Sequence, residues 1–249
     1  MTTTRQPGTF AVNLLGSFEL HRENRTVAAT PAAQRLLAYV ATRTKTITRV
    51  AAARSLWPDH SDVRAAANLR STLWRLRHEH QGGPIRSTPH GIELDPRTTI
   101  DIHAIHARTA ALASVPDGAP DLDPALLRHD VLPDWTDDWL LTTREWFRQI
   151  RLHALEALCA RHCRCGRYDA ALEAGMAAID CEPLRESAHR AIVRVHLAEG
   201  NPAEALRQYD LYRRLLYGEL GLRPSPQFRA LVSHLLGRPL DGTPAVTPP

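Results

Sequence analysis

The sequence predicts a mainly α-helical protein, with an N-terminal winged helix-turn-helix of mixed α and β structure followed by an all-α, tetratricopeptide-like domain. Residues 10–100 alternate short apolar runs with three helical stretches. Residues 1–100 carry 14 basic and 7 acidic side chains (+7), and the remainder carries 17 and 20 (−3), which together give the formal +4. Helical patterns and a 34-residue repeat occupy the C-terminal half. A basic domain is therefore joined to a mildly acidic one.

The first elements are short strands. The run FAVNLLGSFELHRENRTV holds two apolar segments around Gly16 and a polar turn at Glu23-Asn24, which predicts a small antiparallel sheet. Residues 1–9 precede this sheet and are expected to be disordered. Thr30-Pro31 then supplies a cap and a first-turn proline for a helix over about 31–43.

Two more helices and a hairpin follow. Thr48 opens a short helix that ends near Trp57-Pro58, because proline disfavours helical geometry in the residue before it. Ser61 or Asp62 caps a third and longer helix. Gly82-Gly83-Pro84 ends that helix, and IRSTPHGIEL predicts a hairpin with His90 at its tip.

The third helix is predicted to enter the major groove of DNA, because strands, three helices and a hairpin follow the order of a winged helix-turn-helix. At helical spacing, its apolar side is formed by Ala66, Leu69, Leu73 and Leu76. The opposite side presents residue types that bond to bases or phosphates, namely Arg64, Asn68, Ser71, Thr72 and Arg75. Three flanking residues are expected to contact phosphate or pack against it: Arg70, Trp74 and Arg77.

An amphipathic surface helix with solvated arginines is the alternative interpretation of this segment. The context favours DNA binding. A short helix precedes the segment, a hairpin follows it, and residues 63–77 contain no acidic side chain.

The second domain is predicted over residues 123–236, after a turn-rich linker at 101–122 and before a disordered proline-rich tail at 237–249. Its repeat aligns Gly166 with Gly200 and Ala171 with Ala205, at the tetratricopeptide period. Each such repeat is a pair of antiparallel helices that must stack on neighbours to bury its apolar face.

Nothing in the sequence predicts catalysis, a cofactor or a metal site. Cys159, Cys163 and Cys165 lie near His162 without a second well-placed ligand pair, and are expected to be small packing residues. No phosphate-binding glycine loop occurs. Without a catalytic motif, the protein is not expected to be an enzyme. The sequence shows neither a signal peptide nor a membrane span, so a cytoplasmic location is expected.

Four segments together resemble the Streptomyces antibiotic regulatory proteins and their bacterial transcriptional activator domain: NLRSTLWRLR, PDWTDDWL, EPLRESAHR and ELGLRPSP, in this order. The resemblance spans about residues 10–236. It implies a winged helix that binds direct repeats near the −35 region of promoter DNA, and a second domain that engages RNA polymerase holoenzyme through its sigma factor to activate an antibiotic gene cluster. A homodimer on direct repeats and a location at the nucleoid are further implications.

Carried over by position, the resemblance implies that Ser71, Thr72 and Arg75 face the groove and that Arg70 and Arg77 contact the DNA backbone. Arg86, Thr88 and His90 would belong to the wing. Two other functions stay open: a tetratricopeptide adaptor whose N-terminal domain is only structural, and a repressor that uses the same DNA contacts.

Overall fold

A computed structural model describes residues 9–43, 45–79, 83–111 and 123–236. The strands are β1 Phe10–Asn13, β2 Glu19–Arg22, β3 Arg25–Thr26, β4 Ile85–Thr88, β5 Gly91–Leu94 and β6 Thr99–Ile100. The helices are α1 Pro31–Ala41, α2 Arg49–Leu56, α3 Asp62–Glu79, α4 Asp101–Ala111, α5 Leu140–Arg164, α6 Tyr168–Cys181, α7 Glu186–Glu199, α8 Pro202–Leu220 and α9 Pro226–Leu236, with a 3₁₀ turn at Pro124–Arg128. This order confirms the predicted fold class.

The N-terminal sheet has the strand order β3-β2-β1-β6. β2 runs antiparallel to β1 and to β3, and Glu23 and Asn24 turn between β2 and β3 with φ values of 50° and 63°. β6 pairs with β1 in parallel, so that Val12 is opposite Ile100. The sequence pattern missed β6, because two residues are too few to show an alternation.

The three helices begin and end at residues the sequence marked. The hydroxyl of Thr30 accepts a hydrogen bond from the N–H of Ala33, and that of Thr48 accepts one from Ala51. α2 ends at Leu56, two residues before Pro58. Ser61 caps α3, since its hydroxyl accepts from the N–H of Arg64.

The wing is the antiparallel hairpin of β4 and β5. It joins the helices through Ile47 and Ile92, which exchange two backbone hydrogen bonds of 2.9 and 2.8 Å. Gly91 lies so close to this bridge that a Cβ there would be 2.0 Å from the carbonyl oxygen of Ile47. Only glycine therefore allows the wing to approach the chain before α2.

The two compact units of the chain do not follow the predicted boundaries. The first unit consists of residues up to Arg108 together with His129–Arg148, and the second of Thr109–Arg128 together with residues from Gln149 onward. Residues 101–111 of the expected linker form α4, and the expected residues 123–236 of the helical domain are shared between the units. Most of the expected linker, 112–122, lies outside the described residues, as do the expected disordered segments apart from Thr9.

The segment Trp135–Trp139 (WTDDW) explains why residues 129–148 belong to the first unit. The carboxylate of Asp137 accepts hydrogen bonds from Arg35 of α1 and from the indole of Trp139 at 3.1 and 3.0 Å. The ring of Trp139 packs edge-on against Tyr39, with centroids 5.2 Å apart. These contacts cross a sequence separation of about a hundred residues, which no local pattern can predict.

The second unit contains the repeat helices. Gly166 and Gly200 both have positive φ values, 71° and 87°, at equivalent inter-helix turns, and Ala171 and Ala205 are both fully buried. Gly175 allows close helix packing, because a Cβ there would be 2.8 Å from the side chain of Ile192. The 34-residue offset therefore corresponds to structurally equivalent positions.

An aromatic cluster closes the second unit at its C-terminal end. The ring of Tyr209 packs edge-on against Phe228 at 5.1 Å, and Tyr212 lies 5.6 Å from the same ring. The segment before α9 is fixed by the Glu186 carboxylate, which accepts hydrogen bonds from the N–H and hydroxyl of Ser225. In the described parts of the chain, no helix combines the length and apolar character needed to cross a bilayer.

Candidate DNA-binding surface

Helix α3 is held in the first unit by a narrow buried side. Its fully buried side chains are Ala65, Leu69, Thr72 and Leu76, which recur at three- and four-residue spacing. The prediction placed Ala66 and Leu73 on this side, but both are only half-buried. The buried side is therefore rotated by part of a turn relative to the predicted one.

The predicted groove-facing residues lie on a side of α3 about a quarter of a turn from the buried one. Arg64, Ser71 and Arg75 are exposed there, and Asn68 is half-buried between them. These four residues follow a spacing of four, three and four, which places them on one face of a helix. The structure thus brings the predicted groove-facing residues together, with Thr72 as the exception.

The prediction that Thr72 faces the groove is wrong. Its side chain is 6% exposed, and its hydroxyl donates a hydrogen bond of 2.8 Å to the carbonyl oxygen of Asn68. A threonine that bonds to the preceding turn has no hydroxyl proton left for a base or a phosphate. Because Thr72 lies one residue after Ser71 in the helix, its side chain points away from the exposed face and towards the buried side of α3.

Positive charge on the exposed face is not neutralised by the protein. Within the described residues, Arg64, Arg70, Arg75 and Arg77 form no ion pair. The acidic residue at the start of α3, Asp62, is bound by Arg54 of α2, with contacts of 3.0 and 2.7 Å. Hydrogen bonds from Arg54 lower the pKa of Asp62. The guanidinium groups of α3 are therefore available to an external anion.

Trp74 lies on the flank of this surface and is 61% exposed. Its ring stacks on His78 with centroids 4.1 Å apart and an angle of 26° between the planes. The imidazole Nδ1 of His78 lies 2.8 Å from the Trp74 carbonyl oxygen. The stacked rings of Trp74 and His78 form an exposed aromatic surface beside the arginines.

The predicted wing residues differ in what they offer. His90 is exposed at the hairpin tip. Thr88 is oriented locally, because its hydroxyl accepts from the N–H of Gly91 at 3.1 Å, a bond that does not use the hydroxyl proton. Arg86 forms an ion pair across the hairpin with Glu93, which also accepts from the hydroxyl of Thr46. These bonds lower the pKa of Glu93 and hold the Arg86 guanidinium against the wing.

One residue of this region was missed by the sequence analysis. Arg49, in the first turn of α2, is exposed and donates to the carbonyl oxygen of Thr88 at 3.3 Å, which places its charge beside the wing. Val63 is 80% exposed at the start of α3. A single exposed apolar side chain is common on protein surfaces, so Val63 alone does not indicate a contact.

The cysteine region offers no comparable site. Burial raises the pKa of the Cys159 thiol to about 12, as expected for a packing cysteine in an apolar environment. Among the residues with described positions, no group of three or more His, Cys, Asp or Glu side chains is arranged to hold a metal ion.

A family model, the bacterial transcriptional activator domain, matches residues 102–236. The match covers more than half of the chain and confirms the resemblance seen in the sequence motifs. It begins after β6, so that α3 and the wing lie outside the matched segment.

Regulatory protein AfsR of Streptomyces coelicolor is 26% identical to the chain over 247 residues. The alignment covers 93% of this chain and 24% of AfsR, so the chain spans about a quarter of the length of this curated relative.

Among solved structures, Mycobacterium tuberculosis EmbR in complex with a low affinity phosphopeptide has a similar fold. The TM-score is 0.73 at 22% sequence identity, and the match covers 94% of this chain and 67% of EmbR. This likeness establishes the arrangement of a winged helix followed by a helical domain.

Proposed function

Because the chain belongs to the family of transcription regulators that carry a bacterial transcriptional activator domain, we propose that it is a sequence-specific DNA-binding activator. The observation that carries the proposal is the exposed face of α3, where four arginines meet no carboxylate among the described residues. A protein surface with this charge binds the phosphates of double-stranded DNA and releases their counterions.

Base reading is assigned to the middle of the exposed face. Arg64 and Arg75 carry planar guanidinium groups that bond to the O6 and N7 atoms of guanine, and Asn68 has the amide that pairs with adenine. Ser71 lies between them and can bond to a base edge or a phosphate. The proposal therefore gives these four residues the contacts that depend on sequence.

Backbone contacts are assigned to the flanks. Arg70 and Arg77 lie beside the reading face, Arg49 lies beside the wing, and His90 marks the wing tip. Arg86 is given a supporting role, because its ion pair with Glu93 already occupies it, and the hydroxyl proton of Thr88 is assigned to a phosphate. Trp74 packs beside the phosphates as an exposed ring.

The finer parts of the proposal come from the resemblance. We propose that two protomers bind direct repeats near the −35 region, head to tail, and that the protein recruits RNA polymerase holoenzyme through its sigma factor. The controlled genes would be a secondary-metabolite cluster. Direct repeats require no two-fold axis between the DNA-binding domains.

Footprinting on the promoter next to the protein's own gene tests DNA binding. A protected pair of direct repeats is the expected result, with strong salt dependence because arginine contacts displace counterions. Absence of protection at low salt would leave the tetratricopeptide adaptor as the better account. Transcription with purified polymerase then separates the remaining functions, since an activator raises transcript yield and a repressor lowers it.

Arg75→Ala and Arg77→Ala form a matched pair on the same helix. Arg75→Ala is expected to weaken binding to the cognate site by about 1–3 kcal/mol while leaving binding to random DNA unchanged. Arg77→Ala should weaken both kinds of binding and reduce the salt slope by about 1. Equal loss on both DNAs for Arg75→Ala would remove its base-reading role.

A further inference from the structure

A cavity of about 860 Å³ lies within the first unit, away from the exposed face of α3. Its volume is within the range of about 300–1,000 Å³ that small-molecule sites occupy. The end of α1 and the chain that leads into α2 form one side, and α4 and the first turns of α5 form the other. Neither the proposed DNA contacts nor the repeat helices use this cavity.

The inner surface of the cavity is more apolar than polar. Tyr39, Ile47 and Trp146 contribute its largest apolar side chains. The ring of Trp146 is fixed by two imidazoles, since its centroid lies 6.2 Å from that of His103 and 5.3 Å from that of His106 in edge-on geometry. The Trp146 ring is 38% exposed, whereas Tyr39 is 3% exposed and covered by Arg43, so Trp146 offers the surface for a flat aromatic ligand.

The charge of the cavity is positive. Arg43 and Lys45 line it, and no acidic side chain does. Arg43 is held in place, because its guanidinium lies 3.6 Å from the centroid of Tyr39 and donates to the carbonyl oxygen of Tyr39 at 2.9 Å. Within the described residues neither cation pairs with a carboxylate.

A carboxylate lines an adjoining cavity that also contacts Arg43 and Lys45. This is Glu93, whose oxygens accept hydrogen bonds from Arg86 and Thr46. Two cations thus lie at the cavity without a carboxylate partner: Lys45 is exposed, and Arg43 is half-buried, where burial lowers its pKa. An anion that enters the cavity would form charge-assisted contacts with both cations.

Hydroxyl groups complete the lining. Thr42, Thr46 and Thr48 come from the α1–α2 side, and Thr142 and Thr143 come from α5. The hydroxyls of Thr42 and Thr46 already donate to the Tyr39 carbonyl oxygen and to Glu93, so Thr48, Thr142 and Thr143 are the ones proposed to orient a ligand. The donor set is therefore rich in cations and hydroxyls and holds no acidic group.

We infer that this cavity is a binding site for an anionic aromatic small molecule, whose ring packs against Trp146 and whose anionic group meets Arg43 and Lys45. The site lies in the DNA-binding unit but is distinct from the proposed DNA contacts. It gives the protein a place at which a metabolite can be sensed.

The test uses Lys45, the only lysine among the 31 basic residues of the chain. Reductive methylation with a ¹³C label keeps the charge of Lys45 and gives one side-chain signal, separate from that of the N-terminal amine. Naphthalene-2-sulfonate is titrated against this signal in the full chain. The uncharged naphthalene-2-sulfonamide and the non-aromatic methanesulfonate are titrated in parallel.

The expected result is a saturable shift of the Lys45 signal by naphthalene-2-sulfonate, with an affinity about tenfold higher than for either comparison compound. Trp146→Ala and Arg43→Gln should each weaken binding by about tenfold. Trp74→Ala and Arg75→Gln are the matched controls, because they alter the other exposed surface that combines an aromatic ring with arginines. These controls should leave the affinity unchanged.

Three results would overturn the inference. One is the lack of a saturable shift, and another is equal affinity for the sulfonate and the sulfonamide. The third is loss of binding in Trp74→Ala with retention in Trp146→Ala, which would place the probe on α3. If Arg43→Gln fails to fold, Lys45→Gln replaces it, and binding is followed by isothermal titration calorimetry. DNA footprinting remains a separate readout, so failure of the cavity and failure of DNA binding are distinguishable.

Discussion

The hydroxyl of Thr72 donates a hydrogen bond to the carbonyl oxygen of Asn68, 2.8 Å away and one turn earlier in α3. This bond separates two neighbouring residues of similar chemistry, because Ser71 remains exposed while Thr72 is 6% exposed. It marks the edge of the surface proposed to read DNA.

Thr72→Val is therefore expected to leave the affinity for cognate DNA within about twofold of the unmodified protein. Ser71→Ala should weaken cognate binding by about 1 kcal/mol, because a hydrogen bond to a base or phosphate is lost. Fluorescence anisotropy with a labelled promoter fragment measures both. A loss in Thr72→Val as large as in Ser71→Ala would contradict this assignment.

Asp137 is expected to stabilise the first unit. Asp137→Ala removes the acceptor of both Arg35 and Trp139, and should lower the free energy of unfolding by about 1–3 kcal/mol. Asp138→Ala is the matched control, since Asp138 is exposed. Urea unfolding followed by tryptophan fluorescence compares the two variants, and equal stabilities would show that the carboxylate of Asp137 contributes nothing.

Gly91→Ala is expected to disturb the wing. The added Cβ would be 2.0 Å from the Ile47 carbonyl oxygen, so the backbone must shift at a cost of about 1–3 kcal/mol. Gly218→Ala is the control, because a Cβ there meets nothing within 4 Å and alanine favours the helix by up to about 1 kcal/mol. The midpoint temperature of thermal unfolding should fall for Gly91→Ala and rise for Gly218→Ala. A Gly91→Ala protein as stable as the parent would refute the close approach of Gly91 to Ile47.

Asp95, directly after the wing, is expected to make the stability of the fold depend on pH in the acidic range. Hydrogen bonds from the Arg97 side chain lower the pKa of Asp95 to about 2. A carboxyl whose pKa is lower in the folded state stabilises the fold above its ordinary pKa of about 4, and this contribution disappears as pH falls towards 2. Arg97→Gln should raise the pKa of Asp95, as measured by carboxyl ¹³C NMR.

The stability difference between the parent and Arg97→Gln should accordingly be present at neutral pH and shrink between about pH 4 and pH 2. Arg97 is largely exposed, so solvent screening keeps this difference small. A difference that grows as the pH falls would have the wrong sign and would contradict the assignment.

Several features of the fold could be predicted because their signals are local. Thr30, Thr48 and Pro58 mark helix ends through their own side chains, and Gly166 and Gly200 recur at the period of the repeat. The exposed arginines of α3 were predicted by helical spacing. The error at Thr72 arose because helical spacing leaves the exact rotation of a helix uncertain by a fraction of a turn.

Features formed by distant residues could not be predicted in this way. β6 has two residues and exists because β1 pairs with it. The cavity beside Trp146 is formed by segments about a hundred residues apart, and its residues share no motif.

The sequence by itself determined the order of elements, the division of charge and the family motifs, because these depend on neighbouring residues. The tertiary structure decided which of the polar residues of α3 are exposed and where the first unit ends. The exposure of the α3 residues depends on the packing that buries Leu69 and Leu76. The end of the first unit depends on the hydrogen bond between Arg35 and Asp137, which are far apart in the sequence. Burial and long-range hydrogen bonds are properties of the folded chain.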